Sequence, residues 1–350
     1  MTEADDDAGP ARAALIALDR LLLPGEARYT SKELASAAGV DFELADRLWR
    51  AMGFADVPDD EPVFVDDDLA ALRMATDALS QLVPDAAIVY QTRVMAAALS
   101  RVAEVVSDNI VGNLDALFRS GVTEQEISGV LSLPEAGEID RLVGYVYRRQ
   151  LRAALWRKLG DPAHIGERTM LTVGFVDLVR FTAVTEDIAE DQLAELIDRF
   201  ESVVYDRVTA SAGRIVKMIG DEAMFVAEQA DQATQIAIDL VSAFHLERSV
   251  PEARAGLACG SVLAHGGDYF GPVVNLASRI VDVARPSSVV VSQEIHDLLA
   301  DRPEFAWSRL PPKRLKGIGR TYLFAASLSD ASRVSGRAMA RRLSRGAPPS

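Results

Sequence analysis

The chain is nearly without cysteine. Cys259 is the only one in 350 residues. No intrachain disulfide can form, and a reducing, cytoplasmic setting is expected. Long apolar runs are missing too. None approaches the roughly 18 residues that a membrane-spanning helix needs, so no stable membrane insertion is expected. The opening Met1–Asp7 is acidic and has no apolar stretch, so a secretory leader is not expected. Histidine is scarce, and none of His164, His245, His265 and His296 is spaced as a metal-binding pair. Basic charge is short: 37 Lys and Arg stand against 52 Asp and Glu, a net charge of −15. Such a chain repels nucleic acid and anionic membrane, and no nucleic-acid partner is expected. The shortage is uneven. Residues 1–70 hold 17 acids and 6 bases, whereas residues 331–350 hold five arginines and no acid.

What is present is ordinary for a globular protein, with 49% apolar and 25% charged residues in a length that allows two or three domains. Residues 1–10 read as disordered. Helical apolar spacing runs from Ala11 to Leu23 and stops at Pro24-Gly25. Thr30-Ser-Lys-Glu33 is a capping-box pattern that opens a helix to Ala38. Gly39-Val40 turns the chain, and Asp41 caps a second helix to about Met52. This resembles a helix-turn-helix, with a wing around Pro62 to Val65. A recognition helix needs Lys and Arg for phosphates, and here Arg47 and Arg50 face Asp41, Glu43 and Asp46. A helical packing module is therefore preferred to a DNA-binding one.

Asp66-Asp-Asp68 opens a helix to Leu82, and Pro84-Asp85 opens the next. From Ala86 to Phe118 a long segment rich in Ala, Val, Leu and Met has helical periodicity. Apolar on most sides, it is expected to be buried, as a dimer core in preference to a lipid pocket. Further helices are expected over 124–131 and 138–159. Residues 11–160 thus read as one all-α domain, followed by a connector at 161–169 that contains His164. A charge change there near neutral pH could act on domain coupling.

From Met170 the texture changes. A strand at 170–176, a helix at 188–211, a hairpin at 214–226, a helix at 231–247 and a strand at 253–263 follow in order. That sequence of elements is ferredoxin-like α+β, and a C-terminal extension continues it to residue 328. Residues 329–350 form a basic tail expected to be disordered.

Three stretches carry chemistry. The first is Leu171-Thr-Val-Gly-Phe-Val-Asp177, an apolar strand ending in a carboxylate. The second is Gly213-Arg-Ile-Val-Lys-Met-Ile-Gly-Asp221, which turns at Gly220-Asp221 between β-branched runs. If their strands are neighbours, Asp177 and Asp221 meet, and paired carboxylates share a proton or a cation. Oxygen-only ligands favour Mg²⁺ or Mn²⁺. The turn Val179-Arg-Phe181-Thr182 precedes a helix, so its backbone N–H groups could cradle phosphates. The third stretch is Asp268-Tyr-Phe-Gly-Pro-Val-Val-Asn275-Leu-Ala-Ser-Arg279. Asn275 and Arg279 are four apart on one helix face, where they could hold a phosphate or sugar oxygen or simply be solvated.

Together these stretches resemble the class III nucleotidyl cyclases, of the adenylyl type with a helical regulatory domain found in actinobacteria. The likeness covers about residues 168–327. It implies conversion of ATP to 3′,5′-cyclic AMP and pyrophosphate. By resemblance, Asp177 and Asp221 bind two metal ions, helped by the backbone carbonyl of Leu178. Lys217 and Asp268 match the pair that selects adenine. Asn275 and Arg279 match the residues that orient the ribose and stabilise the transition state. Lys316 matches a triphosphate-binding lysine, with Lys313 and Arg314 as alternatives. Adenine presents an acceptor at N1 and a donor at N6, which suit a lysine and a carboxylate. Guanine reverses both, a mismatch of roughly 1–3 kcal/mol per buried group. The family builds its site between two cyclase domains, which implies a homodimer with two sites. A small-molecule or lipid effector on the N-terminal domain is left open. A guanylyl or dual-specificity cyclase and a DNA-binding regulator with a cyclase-type sensory domain are the alternatives.

Overall fold

The computed structural model describes residues 15, 18, 19, 22–58, 60–80, 83–119, 136–159, 168–186, 188–247 and 249–330. The segment expected to be disordered at 1–10 lies outside these residues. So do most of the helix expected over 11–23, the helix expected over 124–131, His164 with most of the connector, and the tail from 331. The chain divides into two compact units, Met1–Ala154 and Leu155–Ser350.

The first unit is helical. Helix α1 (Ser31–Ala38) starts with the capping box: Thr30 Oγ1 accepts from the Glu33 amide, and Glu33 returns a carboxylate to the Thr30 amide. Gly39, at φ 72°, ends it in the left-handed conformation that glycine adopts freely. Asp41 caps α2 (Phe42–Ala51) by accepting from the Glu43 and Leu44 amides. The expected wing is a single bridge between Tyr29 and Phe64. Arg50, offered to phosphate by the DNA-binding reading, is engaged by Asp46 at 3.3 Å and Asp56 at 3.1 Å. Leu34, Leu48, Phe64, Leu69, Leu72, Ile88 and Val89 form the core with α3 (Asp66–Ser80) and the start of α4 (Asp85–Arg119).

The long apolar helix is buried at Ile88, Val89, Thr92 and Leu114, but Met95 is 57% exposed, Val105 62% and Val111 63%. Its apolar residues lie on more than one face, and several of these are left exposed by the described helices of the first unit. Helix α5 (Ala136–Leu159) likewise exposes Leu142, Tyr145, Leu155 and Trp156.

The second unit is built on β1 (Arg168–Leu178). After it come α6 (Phe181–Thr185), α7 (Glu190–Ala210), β2 (Arg214–Ile219), β3 (Glu222–Ala227), α8 (Ala230–Leu246) and β4 (Ala253–His265). The strands lie in the order β2-β3-β1-β4, every pair antiparallel. This is the sheet that a β-α-β-β-α-β order builds. The extension comprises β5 (Asp268–Phe270), α9 (Pro272–Val283), β6 (Val289–Ser292), α10 (Gln293–Leu299), β7 (Phe305–Arg309), β8 (Lys313–Leu315), β9 (Gly319–Thr321) and β10 (Leu323–Leu328). It adds β6-β10-β7 beside β4, hangs β5 on the end of β4, and makes a separate β8–β9 hairpin. The five-residue α6 and the strands β5 and β8 were not expected from the sequence. All are too short to show a period.

Alternation along β1 sorts its side chains. Val176 and Leu178 join the core of α7 and α8, with Phe200, Val204, Ile236, Leu240 and Phe244. Leu171, Val173 and Phe175 join the opposite core, with Ala277, Ile280 and Val281 of α9. Asp177 therefore follows Phe175 onto the α9 side. A Cβ on Gly256 would lie 2.2 Å from the Val281 amide, so only glycine lets α9 approach β4 this closely.

Candidate active site

Asp177 ends β1 between two partner strands, opposite Glu222 on β3 and Arg254 on β4. The Leu178 amide donates to the Asp221 carbonyl at 3.1 Å, which ties the β2–β3 turn to the end of β1. Gly220 makes that turn with φ 62°. The two aspartates thus arrive together because their strands are neighbours. Arg254 Nε donates to Asp177 Oδ2 at 2.8 Å, and a terminal nitrogen of the same guanidinium makes an ion-pair contact with that oxygen at 2.6 Å. Both contacts fall on one oxygen, and among the described residues no hydrogen bond reaches Oδ1. The other terminal nitrogen of Arg254 donates to the Asp282 carbonyl at 3.0 Å, at the end of α9.

The cluster is short of positive charge. Burial pushes the Asp177 carboxyl above its ordinary value, a rise that the Arg254 hydrogen bond and charge partly offset. Glu222 is pushed up to about 7, first by burial and then by the charges of Asp177, Asp282 and Asp221. Arg254 and Glu222 were not picked out from the sequence. Arg254 left one signal, as a lone cation at the start of the apolar strand run Ala253–Ala258, where it needs a partner. Glu222 left only its place after Asp221.

Lys217 on β2 and Asp268 on β5 are 51 residues apart, and Nζ lies 2.5 Å from Oδ2. Asn275 and Arg279 share the exposed face of α9, which Pro272 opens after Gly271. Arg279 pairs with Asp282 at 3.1 Å. Leu178 is buried. Phe181 packs against the core, and Thr182 is exposed at the start of α6. In so short a helix only backbone N–H groups remain to meet an anion. Lys316 is exposed in the β8–β9 turn, anchored by buried Leu315. Two groups are therefore assembled, Asp177–Asp221–Glu222–Arg254 and Lys217–Asp268. Among the described residues no recorded hydrogen bond or ion pair joins them to each other, to Asn275 or to Lys316.

Two family models match the chain. Residues 5–155 match the family model described as adenylate cyclase regulatory domain. Residues 165–327 match the adenylate and guanylate cyclase catalytic domain. An adenylate cyclase of Streptomyces coelicolor is 38% identical over 291 residues, 82% of this chain and 76% of its own. One of Streptomyces griseus is 35% identical over 278 residues, 79% of this chain and 69% of its own. A pH-sensitive adenylate cyclase of Mycobacterium tuberculosis is 34% identical over 321 residues, 87% of this chain and 79% of its own. Among the described residues no helix is long and apolar enough to cross a membrane.

Proposed function

Since the chain belongs to the class III adenylyl cyclases that carry an N-terminal regulatory domain, we propose that it converts ATP to 3′,5′-cyclic AMP and pyrophosphate at sites shared by two copies. The observation that carries the choice of ATP is the Lys217–Asp268 pair at 2.5 Å. It presents a donor beside an acceptor, as the adenine edge requires. Guanine would face like partners on both sides. Lys217→Glu combined with Asp268→Cys is expected to shift product from cyclic AMP toward cyclic GMP, read by chromatography with each nucleotide. Undiminished ATP selectivity would refute this assignment.

The acidic cluster fits a divalent cation. Its donors are all oxygen, no hydrogen-bond donor among the described residues meets Asp177 Oδ1, and burial, followed by the charges of Asp177, Asp282 and Asp221, lifts Glu222 to about 7. Asp177, Asp221 and the Leu178 carbonyl would hold Mg²⁺ or Mn²⁺, two ions per site. Bound there, such ions supply activation of the ribose 3′-hydroxyl and charge neutralisation at the leaving pyrophosphate. The protein's own part is placement. Arg254 holds Asp177 by one oxygen, Oδ2. Asn275 and Arg279 orient the ribose and meet the charge that develops at the α-phosphate. Lys316 and the backbone at Phe181 and Thr182 receive the triphosphate.

Each chain supplies Asp177 and Asp221 to one site and Lys217, Asp268, Asn275 and Arg279 to the other. The exposed apolar residues of α4 and α5, among them Met95, Val105, Val111, Tyr145 and Trp156, support assembly with a second copy. The N-terminal unit regulates the catalytic one, through a small-molecule or lipid effector or through pH.

A further inference from the structure

β2 and β5 are not paired as strands, yet two side-chain links join them. One is the Lys217–Asp268 ion pair. The other joins Arg214 to Tyr269. The guanidinium donates to the phenol oxygen, and its carbon lies 4.9 Å from the ring centroid. That distance allows a cation–π contact as well.

The backbone explains how both links reach the same strand. Arg214 and Lys217 are three residues apart, and side chains three apart on a regular strand point to opposite faces. Here the pairing of β2 with β3 shifts register between Ile215 and Lys217. The extra residue is a β-bulge, which re-aims the side chains beyond it. Arg214 and Lys217 therefore both turn toward β5.

On β5 the two links meet at one carboxylate. Asp268 Oδ2 takes Lys217, while Oδ1 accepts from the Tyr269 amide at 2.7 Å. The orientation of Asp268 thus depends on where the Tyr269 backbone sits. Tyr269 packs against the α9-side core. Its phenol oxygen is held by Arg214, which burial draws below the ordinary arginine range. A desolvated guanidinium is costly unless its contacts are directed, so this one is placed for what it holds. A three-residue strand needs such support, because Lys217 has a flexible stem and a small misplacement of a recognition group is expensive.

We infer that Arg214 and Tyr269 are positioning residues for base selection, fixing Asp268 and Lys217 in the geometry that reads adenine. This rests on the assignment of Lys217 and Asp268 as the base-selecting pair. Neither Arg214 nor Tyr269 takes part in the chemistry.

The test uses the full chain with Mn²⁺ and either ATP or GTP. Steady-state constants are compared for Arg214→Met, Arg214→Lys, Tyr269→Phe, the double variant Arg214→Met/Tyr269→Phe and a Lys217→Met control, each with its melting temperature. Arg214→Met and Tyr269→Phe are expected to lower the ATP:GTP ratio of kcat/KM by about 10-fold, through a raised KM for ATP with kcat nearly kept. Arg214→Lys restores part of the ratio, since an ammonium can still sit by the ring. The double variant is no worse than the weaker single one, because both remove one interaction. Should Lys217→Met lower the ratio while both single variants keep it, the inference fails and the base-selecting pair stands, whatever the melting temperatures do. Should Lys217→Met also keep the ratio, the assignment beneath fails and the inference with it. Tyr269→Phe retains the ring, so the comparison survives if Arg214→Met folds poorly.

Discussion

Glu222 is the most telling single residue. It stands beside Asp177 in register, one position after Asp221, and its carboxyl is pushed from 4.5 to about 7. A carboxyl raised in the folded state keeps its proton there after the unfolded chain has released it. Its stabilising share is complete below about pH 4.5 and is lost as pH rises toward 7. Asp177, also raised, acts in the same direction. In chelator, Glu222→Gln is expected to melt higher than the parent at pH 8, with the difference shrinking steadily as pH falls toward 4.5. Parallel pH profiles for the two proteins would contradict this. Asp177 and Asp221 were legible as a pair because each closes an apolar strand run and β-branched residues mark the turn. Arg254 was not. Its meaning comes from a register between strands that puts it opposite Asp177, 77 residues away in sequence. Local pattern carries no such register.

At the scale of elements, capping boxes, glycine turns and apolar periods gave helix and strand limits within a few residues. Short pieces escaped: α6, β5 and β8 have three to five residues each, too few to show a period. The β2 bulge escaped as well, since no glycine or proline marks Val216. The long helix α4 is helical as its periodicity implies, and several of its apolar residues are exposed in the single chain. Apolar composition says that a helix needs a partner without saying which. The N-terminal unit matches a regulatory-domain family, so these uncovered faces belong to a segment expected to control catalysis. Residues 160–350 and the full chain are therefore expected to differ in specific activity with Mn²⁺-ATP, by several-fold, about 1 kcal/mol or more in barrier. Equal activities across pH 5.5 to 8 would rule out control by the first unit under those conditions.

For the whole molecule, the residues proposed for the cyclase reaction fall into two groups within one chain. Lys217 and Asp221 sit four residues apart, at β2 and its following turn, yet in the proposed dimer they serve different active sites. The dimer, not the chain, is then the catalytic unit. The most direct test mixes two inactive proteins, one with Asp177→Ala and one with Arg279→Ala, in the presence of Mn²⁺-ATP. Mixed dimers hold one site with both lesions and one with neither. Cyclic AMP formation is expected to recover to about a quarter of the parental rate at equal concentrations, since half of randomly exchanged dimers are mixed and each has one working site. A mixture that exchanges subunits and stays as inactive as its components would contradict the shared site.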